Sequence, residues 1–305
     1  MTIPESPDNS VKISPSVGPK IAKVGLAQRL RVLRENRRLT PADVASAMEF
    51  SQSKLTRIEK GEVSVQPLEV RALLNHYGVT DDDEIALLLR LARTSRSRQW
   101  YSSHRLTGAY ADFIAYENEA LVIKAWQLLF VPGLVQTEEY AHASTARTLR
   151  TSPENEEVKV RVRLRMDRQQ ALHERLGKPG APRMVMAIDE AVLRRPIGGR
   201  DVLRRQLDHL LELGENSDTY SFAVTPLDLE HHSGLGGSFE LLKFAGRSHG
   251  DVLFVEAAAG QDFILTDHPL IDRHSALFQD LIDYGRTGED ALKLIRSCRD
   301  ALRAG

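Results

Sequence analysis

Two unlike parts are predicted by the sequence: an all-α unit of five short helices, then a larger α+β domain whose antiparallel sheet is flanked by helices. Three observations carry this. Up to residue 98 the apolar residues recur at helical spacing, with marked caps and short spacers. After residue 180, short β-rich runs bounded by turn residues alternate with helical stretches. Charge divides the chain in the same place: residues 21–60 hold nine Lys/Arg against four Asp/Glu, 21–98 carry a net +4 and 99–305 a net -5, within a total of -1. A basic module joined to a mildly acidic one implies an anionic partner for the first.

In order, "MTIPESPDNSVKISPSVGPK" is Pro- and Ser-rich, and residues 1–20 are expected to form a disordered tail. "VGLAQRLRVLRENRRL" spaces Leu26, Leu30 and Leu33 at i, i+4 and i+7, the stripe of an amphipathic helix. Thr40, Pro41 and Asp43 supply an N-cap, a first-turn proline and an acid three residues after the cap. Val44, Ala45 and Met48 give this second helix a small apolar face. Ser51 caps a third helix that Gly61 ends. Helices over Pro67 to Tyr77, with Leu68, Leu73 and Leu74 inward, and Asp82 to about Arg93 complete the unit, residues 21–98.

Between the first unit and the rest, residues 99–305, runs the polar, basic "ARTSRSRQWYSSH" (92–104), read as a linker or a helix continuing out of the first unit. Helical "YADFIAYENEA" and an apolar stretch "LVIKAWQLLFVPGL" follow, then helices over "EEYAHASTARTL", capped by Thr137, and "ENEEVKVRVRLRMDRQQALHERL". Strand signals come only later, in "RMVMAID", "YSFAVTPL", "SFELLKF", "DVLFVEA" and "DFILT", surrounded by helices at 200–213, 270–284 and 288–302.

The third helix is the most informative element. With Leu55 and Ile58 facing the core at about 100° per residue, Ser53, Thr56, Arg57 and Lys60 lie on the opposite side, with Gln52 and Lys54 on the flanks. All can hydrogen-bond and none is acidic. A helix held across a partner in this way suits the major groove of DNA, where Gln and Arg bind base edges through two hydrogen bonds. Arg38, Thr40, Lys54 and Lys60 are the expected phosphate contacts.

Residues 24–80 resemble the xenobiotic-response-element type of helix-turn-helix domain, the phage-repressor-like fold, through "S-x-S-x-L-T-R-I-E-K-G" and "L-R-x-x-R-x-L-T". The resemblance implies that Gln52, Ser53 and Arg57 read bases and that Arg34 pairs with Glu59 as a structural lock. Two departures stand out. Pro41 replaces a frequent glutamine, removing one DNA contact. The turn lacks the usual glycine, so one of Met48, Glu49 and Phe50 is expected at positive φ. The stretches "YENEALVIKAWQLLFVPGLVQTEEYAHA", "RVRLRMDRQQAL", "IDEAVLRRPIGG", "QLDHLLEL" and "HHSGLGGSFELLKF" resemble, in that order, the C-terminal domain of unknown function of actinobacterial WhiJ-type, antitoxin-like regulators. That likeness brings no catalytic chemistry; it implies a short companion protein as partner.

Several motifs do not support chemistry. "GRSHG" at 246–250 matches G-x-S-x-G but stands between two strands, where a hairpin turn is expected instead of a nucleophile elbow. "GLGG" at 234–237 runs into a strand and offers no helix N-terminus to a phosphate. His231 and His232 lack further metal ligands at suitable spacing, and Glu190 is read as the start of a helix. Trp126, His231, His232 and Gly236 mark the expected ligand or partner surface. Cys298 is the only cysteine, so no intrachain disulfide or cysteine zinc site is possible, and no apolar run approaches the length of a membrane span. The expectation is a cytoplasmic DNA-binding regulator, homodimeric on double-stranded DNA, without cofactor, metal or catalysis, and controlled through its second domain by a companion protein or small-molecule effector. The rival is an enzyme acting on a nucleotide or small substrate through that domain, tethered by the first.

Overall fold

The computed structural model describes residues 17–104, 106–215, 218–230, 232–245, 250–256 and 262–302. The chain divides into two units, Met1–Gln99 with Ala245–Gly250, and Trp100–Phe244 with Asp251–Gly305.

The first unit is the expected five-helix array: α1 (Pro19–Asn36), α2 (Pro41–Ala47), α3 (Gln52–Glu59), α4 (Pro67–His76) and α5 (Asp82–Thr94). Leu26, Leu30, Val44, Leu55, Ile58, Leu73, Leu74 and Leu88 share one core. Helices this short are marginal alone, so caps and packing decide them. Thr40 and Asp43 form a reciprocal capping box on α2, and Ser51 Oγ accepts from the Lys54 N–H to start α3. Two expectations are corrected. The helix begins at Pro19, within the segment read as tail, because Ile21 and Ala22 are buried against the unit; residues 1–16 lie outside the described residues. Leu68 is 79% exposed, since the buried stripe of α4 is Val70, Leu73 and Leu74 leading to Tyr77, and Leu68 falls off it.

The second unit holds α6 (Gly108–Glu117), β1 (Val122–Gln127), α7 (Glu138–Leu149), α8 (Glu156–His173), β2 (Arg183–Asp189), α9 (Glu190–Arg194), α10 (Arg200–Gly214), β3 (Tyr220–Thr225), β4 (Phe239–Lys243), β5 (Val252–Val255), β6 (Phe263–Leu265), α11 (His268–Tyr284), β7 (Arg286–Thr287) and α12 (Gly288–Ala301). The seven strands form one sheet in the order β6-β5-β4-β1-β2-β3-β7. The helix-flanked sheet is as expected, but it is mixed instead of antiparallel. β1–β2 and β2–β3 pair in parallel, while β1–β4, β4–β5, β5–β6 and β3–β7 are antiparallel. The parallel block follows from its connections: α7 and α8 return the chain from β1 to β2, and α9 and α10 from β2 to β3, crossovers that only parallel neighbours need.

β1 was hidden in the sequence. Apart from Lys124 and Gln127, "LVIKAWQLLF" is apolar without a strict alternation of polar residues, and such a run reads equally as buried helix. One face of the sheet, with Trp126, Ala187, Phe239, Leu241 and Leu253, packs on Ile271, Phe278 and Leu281 of α11. Phe254 of β5 turns to the other face and stacks on Phe113 of α6 at 4.0 Å between ring centroids.

Candidate nucleic-acid interface

The turn between α2 and α3 is closed by the Phe50 N–H donating to Ala45 O at 2.8 Å, and Glu49 takes the left-handed conformation there, with φ of 55°. A residue other than glycine in that region is strained by its Cβ. The turn fixes how α3 crosses α2, and Leu55 and Ile58 then set its rotation by entering the core. Gln52, Ser53, Arg57 and Lys60 are exposed together on the outer side. Arg57 makes only a loose exposed pair with Glu62, 3.7 Å away, which adds little stability and leaves the guanidinium available.

Behind this face Arg34 is fully engaged. Its Nε and Nη2 donate to the two oxygens of Glu59 at 2.7 and 2.9 Å, and Nη1 donates to Leu39 O at 2.8 Å. The Arg34 and Glu59 side chains are 9% and 7% exposed. The bidentate bond joins α1 to the end of α3 and holds the Arg34 guanidinium above its ordinary pKa. Tyr77 lies close by, and its buried hydroxyl has no hydrogen-bond partner among the described residues.

The four expected phosphate contacts are not equivalent. Arg38 and Lys60 are exposed, Arg38 with φ of 57° just past α1. Thr40 is exposed, yet its hydroxyl donates to Asp43 Oδ2 at 2.7 Å and accepts from the Asp43 N–H at 3.2 Å, so a phosphate contact requires that hydrogen to swing away. Lys54 is held by Glu69, Nζ to Oε1 2.5 Å, and lies 3.8 Å from the Phe50 ring centroid. Burial alone would raise the Glu69 carboxyl; Lys54 and the Gln66 N–H outweigh it and lower the pKa. Glu69 was missed in the sequence because it belongs to α4, and only the tertiary fold brings it to α3.

In the second unit the proposed surface is mostly interior. Trp126 is fully buried, and its Nε1 donates to Gly234 O at 2.9 Å. His232 Nδ1 accepts the Gly234 N–H at 3.1 Å, and Nε2 lies 2.9 Å from Asp189 Oδ2, so both ring nitrogens are occupied. That pattern assigns the neutral Nε2–H tautomer and leaves no nitrogen to act as base or ligand. Asp189 Oδ1 meanwhile caps α9 through the Ala191 N–H at 2.8 Å. Gly234 is pressed on Trp126, where a Cβ would meet Cε2 at 2.5 Å, and Ser233–Gly236 form a 3-10 turn. Gly236 is exposed; His231 and residues 246–249 of "GRSHG" lie outside the described residues.

At the carboxyl ends of β2 and β3 an open cleft of about 680 Å³ is lined by residues including Glu190, Arg194, Leu227, Arg286 and Asp290. Glu190 is spent there on Arg194 and on the Leu227 N–H. Among the described residues no group of three or more His, Cys, Asp or Glu can hold a metal, and no helix is long and apolar enough to cross a membrane.

The first unit is thus a helix-turn-helix array whose α3 exposes Gln52, Ser53, Arg57 and Lys60, and the chain falls in the class of DNA-binding regulators. Residues 26–88 match the family described as Helix-turn-helix domain. Residues 110–297, more than half of the chain, match Domain of unknown function (DUF5753), and the chain belongs to that family. No curated protein and no solved structure matches it.

Proposed function

We propose that this chain is a sequence-specific transcriptional regulator of the xenobiotic-response-element type, antitoxin-like, which reads its operator with Gln52, Ser53 and Arg57. It binds as a homodimer on an inverted repeat, because one short helix reads few base pairs and two-fold pairing sets half-sites about 34 Å apart. The second unit passes a signal from a short companion protein or small ligand to the first, and no catalytic step is part of this reading. One observation carries it: the outer side of α3 exposes Gln52, Ser53, Arg57 and Lys60 with no acid among them.

Gel-shift titration of the full-length protein on promoter DNA from its own locus tests the reading. Binding should weaken steeply as salt rises, since each phosphate neutralised releases counterion. It should also be tighter on one site than on shuffled DNA. Absence of any shift at low salt would remove the proposal.

A further inference from the structure

The cations of α3 are not equally free. Lys60 is exposed at the end of the helix, and Arg57 has only the loose contact with Glu62 at 3.7 Å, both side chains half exposed or more. Lys54 is engaged on two sides. Its Nζ donates to Glu69 Oε1 at 2.5 Å and lies 3.8 Å from the centroid of the Phe50 ring in the turn before α3. Glu69 is fixed in turn: its other oxygen, Oε2, accepts the Gln66 N–H at 2.9 Å in the first turn of α4. Oε1 is therefore held out to Lys54 from a position that α4 sets.

A DNA phosphate has to compete with both contacts. Moving Lys54 to the backbone breaks a short charge-assisted bond and the cation–ring contact, and the phosphate returns a single bond of the same kind. It also uncovers Glu69, whose side chain is 26% exposed. Arg96, just past α5, is then the one further cation that acts on Glu69 among the described residues. An uncovered carboxylate beside a polyanion is repelled. Left in place, the pair is a locally neutral unit at the edge of the α3 face.

We propose that Glu69 limits the phosphate affinity of the first unit by keeping Lys54 off the DNA backbone: in the complex Lys54 stays on Glu69 and screens its charge, and the phosphate contacts fall to Arg38 and Lys60. This rests on the reading of α3 given above. A phosphate contact strengthens every sequence alike. Withholding one leaves a larger share of the binding to Gln52, Ser53 and Arg57.

Fluorescence anisotropy of the full-length protein on random-sequence duplex DNA and on promoter DNA from its own locus, across roughly 50 to 200 mM salt, tests this. Lys54→Met, which keeps the stem on Phe50, should weaken both DNAs by the same factor and leave the slope of log affinity against log salt unchanged. Glu69→Gln, which keeps an oxygen for the Gln66 N–H, should free Lys54. It should bind more tightly at low salt and steepen the slope by about 0.9, one further phosphate, losing roughly 3-fold more affinity than the wild type over that range. Lys54→Met combined with Glu69→Gln should return the slope to the wild-type value. A slope about 0.9 shallower in Lys54→Met places Lys54 on a phosphate already and overturns the proposal, and this arm decides even where Glu69→Gln fails to fold. A wild-type slope in Glu69→Gln overturns it too, as does a steepening that persists undiminished in the double variant. Those three results remove the role of Glu69 and leave DNA binding standing; no binding by the wild type at low salt removes both.

Discussion

Each unit of this chain buries one arginine–glutamate pair, and the two pairs have different surroundings. Arg34–Glu59 ties α1 to α3, and Arg168–Glu117 ties α8 to α6; in both, two guanidinium N–H groups grip the two carboxylate oxygens. Around Arg34 the remaining nitrogen finds Leu39 O, and the neighbourhood is an apolar core with one unbonded neutral hydroxyl, that of Tyr77. Around Arg168 lie Arg165, which forms no ion pair among the described residues, and Glu240 with an unbonded oxygen. A closed pair fixes one element against another, here α1 against α3, whose outer side stays exposed. An open polar cluster, one with unbonded buried atoms, costs stability.

The sharpest way to break this comparison is to remove the arginines. Arg34→Ala and Arg168→Ala should each cost roughly 3–5 kcal/mol, because a buried carboxylate is left unpaired. The apolar double replacement Arg34→Met with Glu59→Leu should recover most of the loss. Arg168→Met with Glu117→Leu should recover less, since Glu240 also feels Arg168. Denaturant unfolding monitored in each unit measures both, and equal recovery would erase the distinction between closed and open.

A pH titration sharpens the same contrast. A carboxyl whose folded pKa lies above its unfolded value binds more protons in the native state, so stability falls as pH rises through that window. For Glu240 the window runs from the ordinary 4.5 to about 8. The second unit should lose stability across it, and Glu240→Gln should flatten the curve; an unchanged slope in the variant would place the titration elsewhere.

Smaller effects test the packing under the Gly234 loop and the exposed side of α3. Gly234→Ala should destabilise the second unit by about 1–3 kcal/mol, because the added Cβ overpacks against the Trp126 ring. Arg57→Ala and Gln52→Ala should each weaken operator binding by about 1–3 kcal/mol and relax preference at one base pair. Lys54→Ala should weaken all sequences alike. Unaltered site preference in Arg57→Ala would take base reading away from α3. Least of all, Tyr77→Phe should change stability by under ~1 kcal/mol and not lower it, since its hydroxyl is buried and unbonded beside the closed pair.

The first unit was readable almost residue by residue. Caps at Thr40 and Ser51, the Leu55 and Ile58 stripe and the strained position in the Met48–Phe50 turn are all local signals that the packing agrees with. Leu68 misled because its spacing to Leu73 and Leu74 leaves its side of the helix undecided; Val70 and Tyr77 settle it. In the second unit, β2 to β6 were legible from turn residues and β-rich composition, whereas β1 was not. Trp126 and His232 were singled out for their chemistry, but both are consumed within the fold, one by Gly234 and the other by Gly234 and Asp189.

By itself the sequence determined the two-part division, the five helices, the outward face of α3 and the helix-flanked sheet, because those depend on periodicity, caps and charge within a few residues of each other. Only the tertiary structure decided that Lys54 is held by Glu69, that the sheet is mixed, and that Arg165 and Glu240 each keep a buried polar atom unbonded. The reason is physical. Whether a charge is paired, or a hydroxyl bonded, depends on every group that reaches it from elements distant in the chain, and one sequence read along its length lists those groups without saying which of them meet.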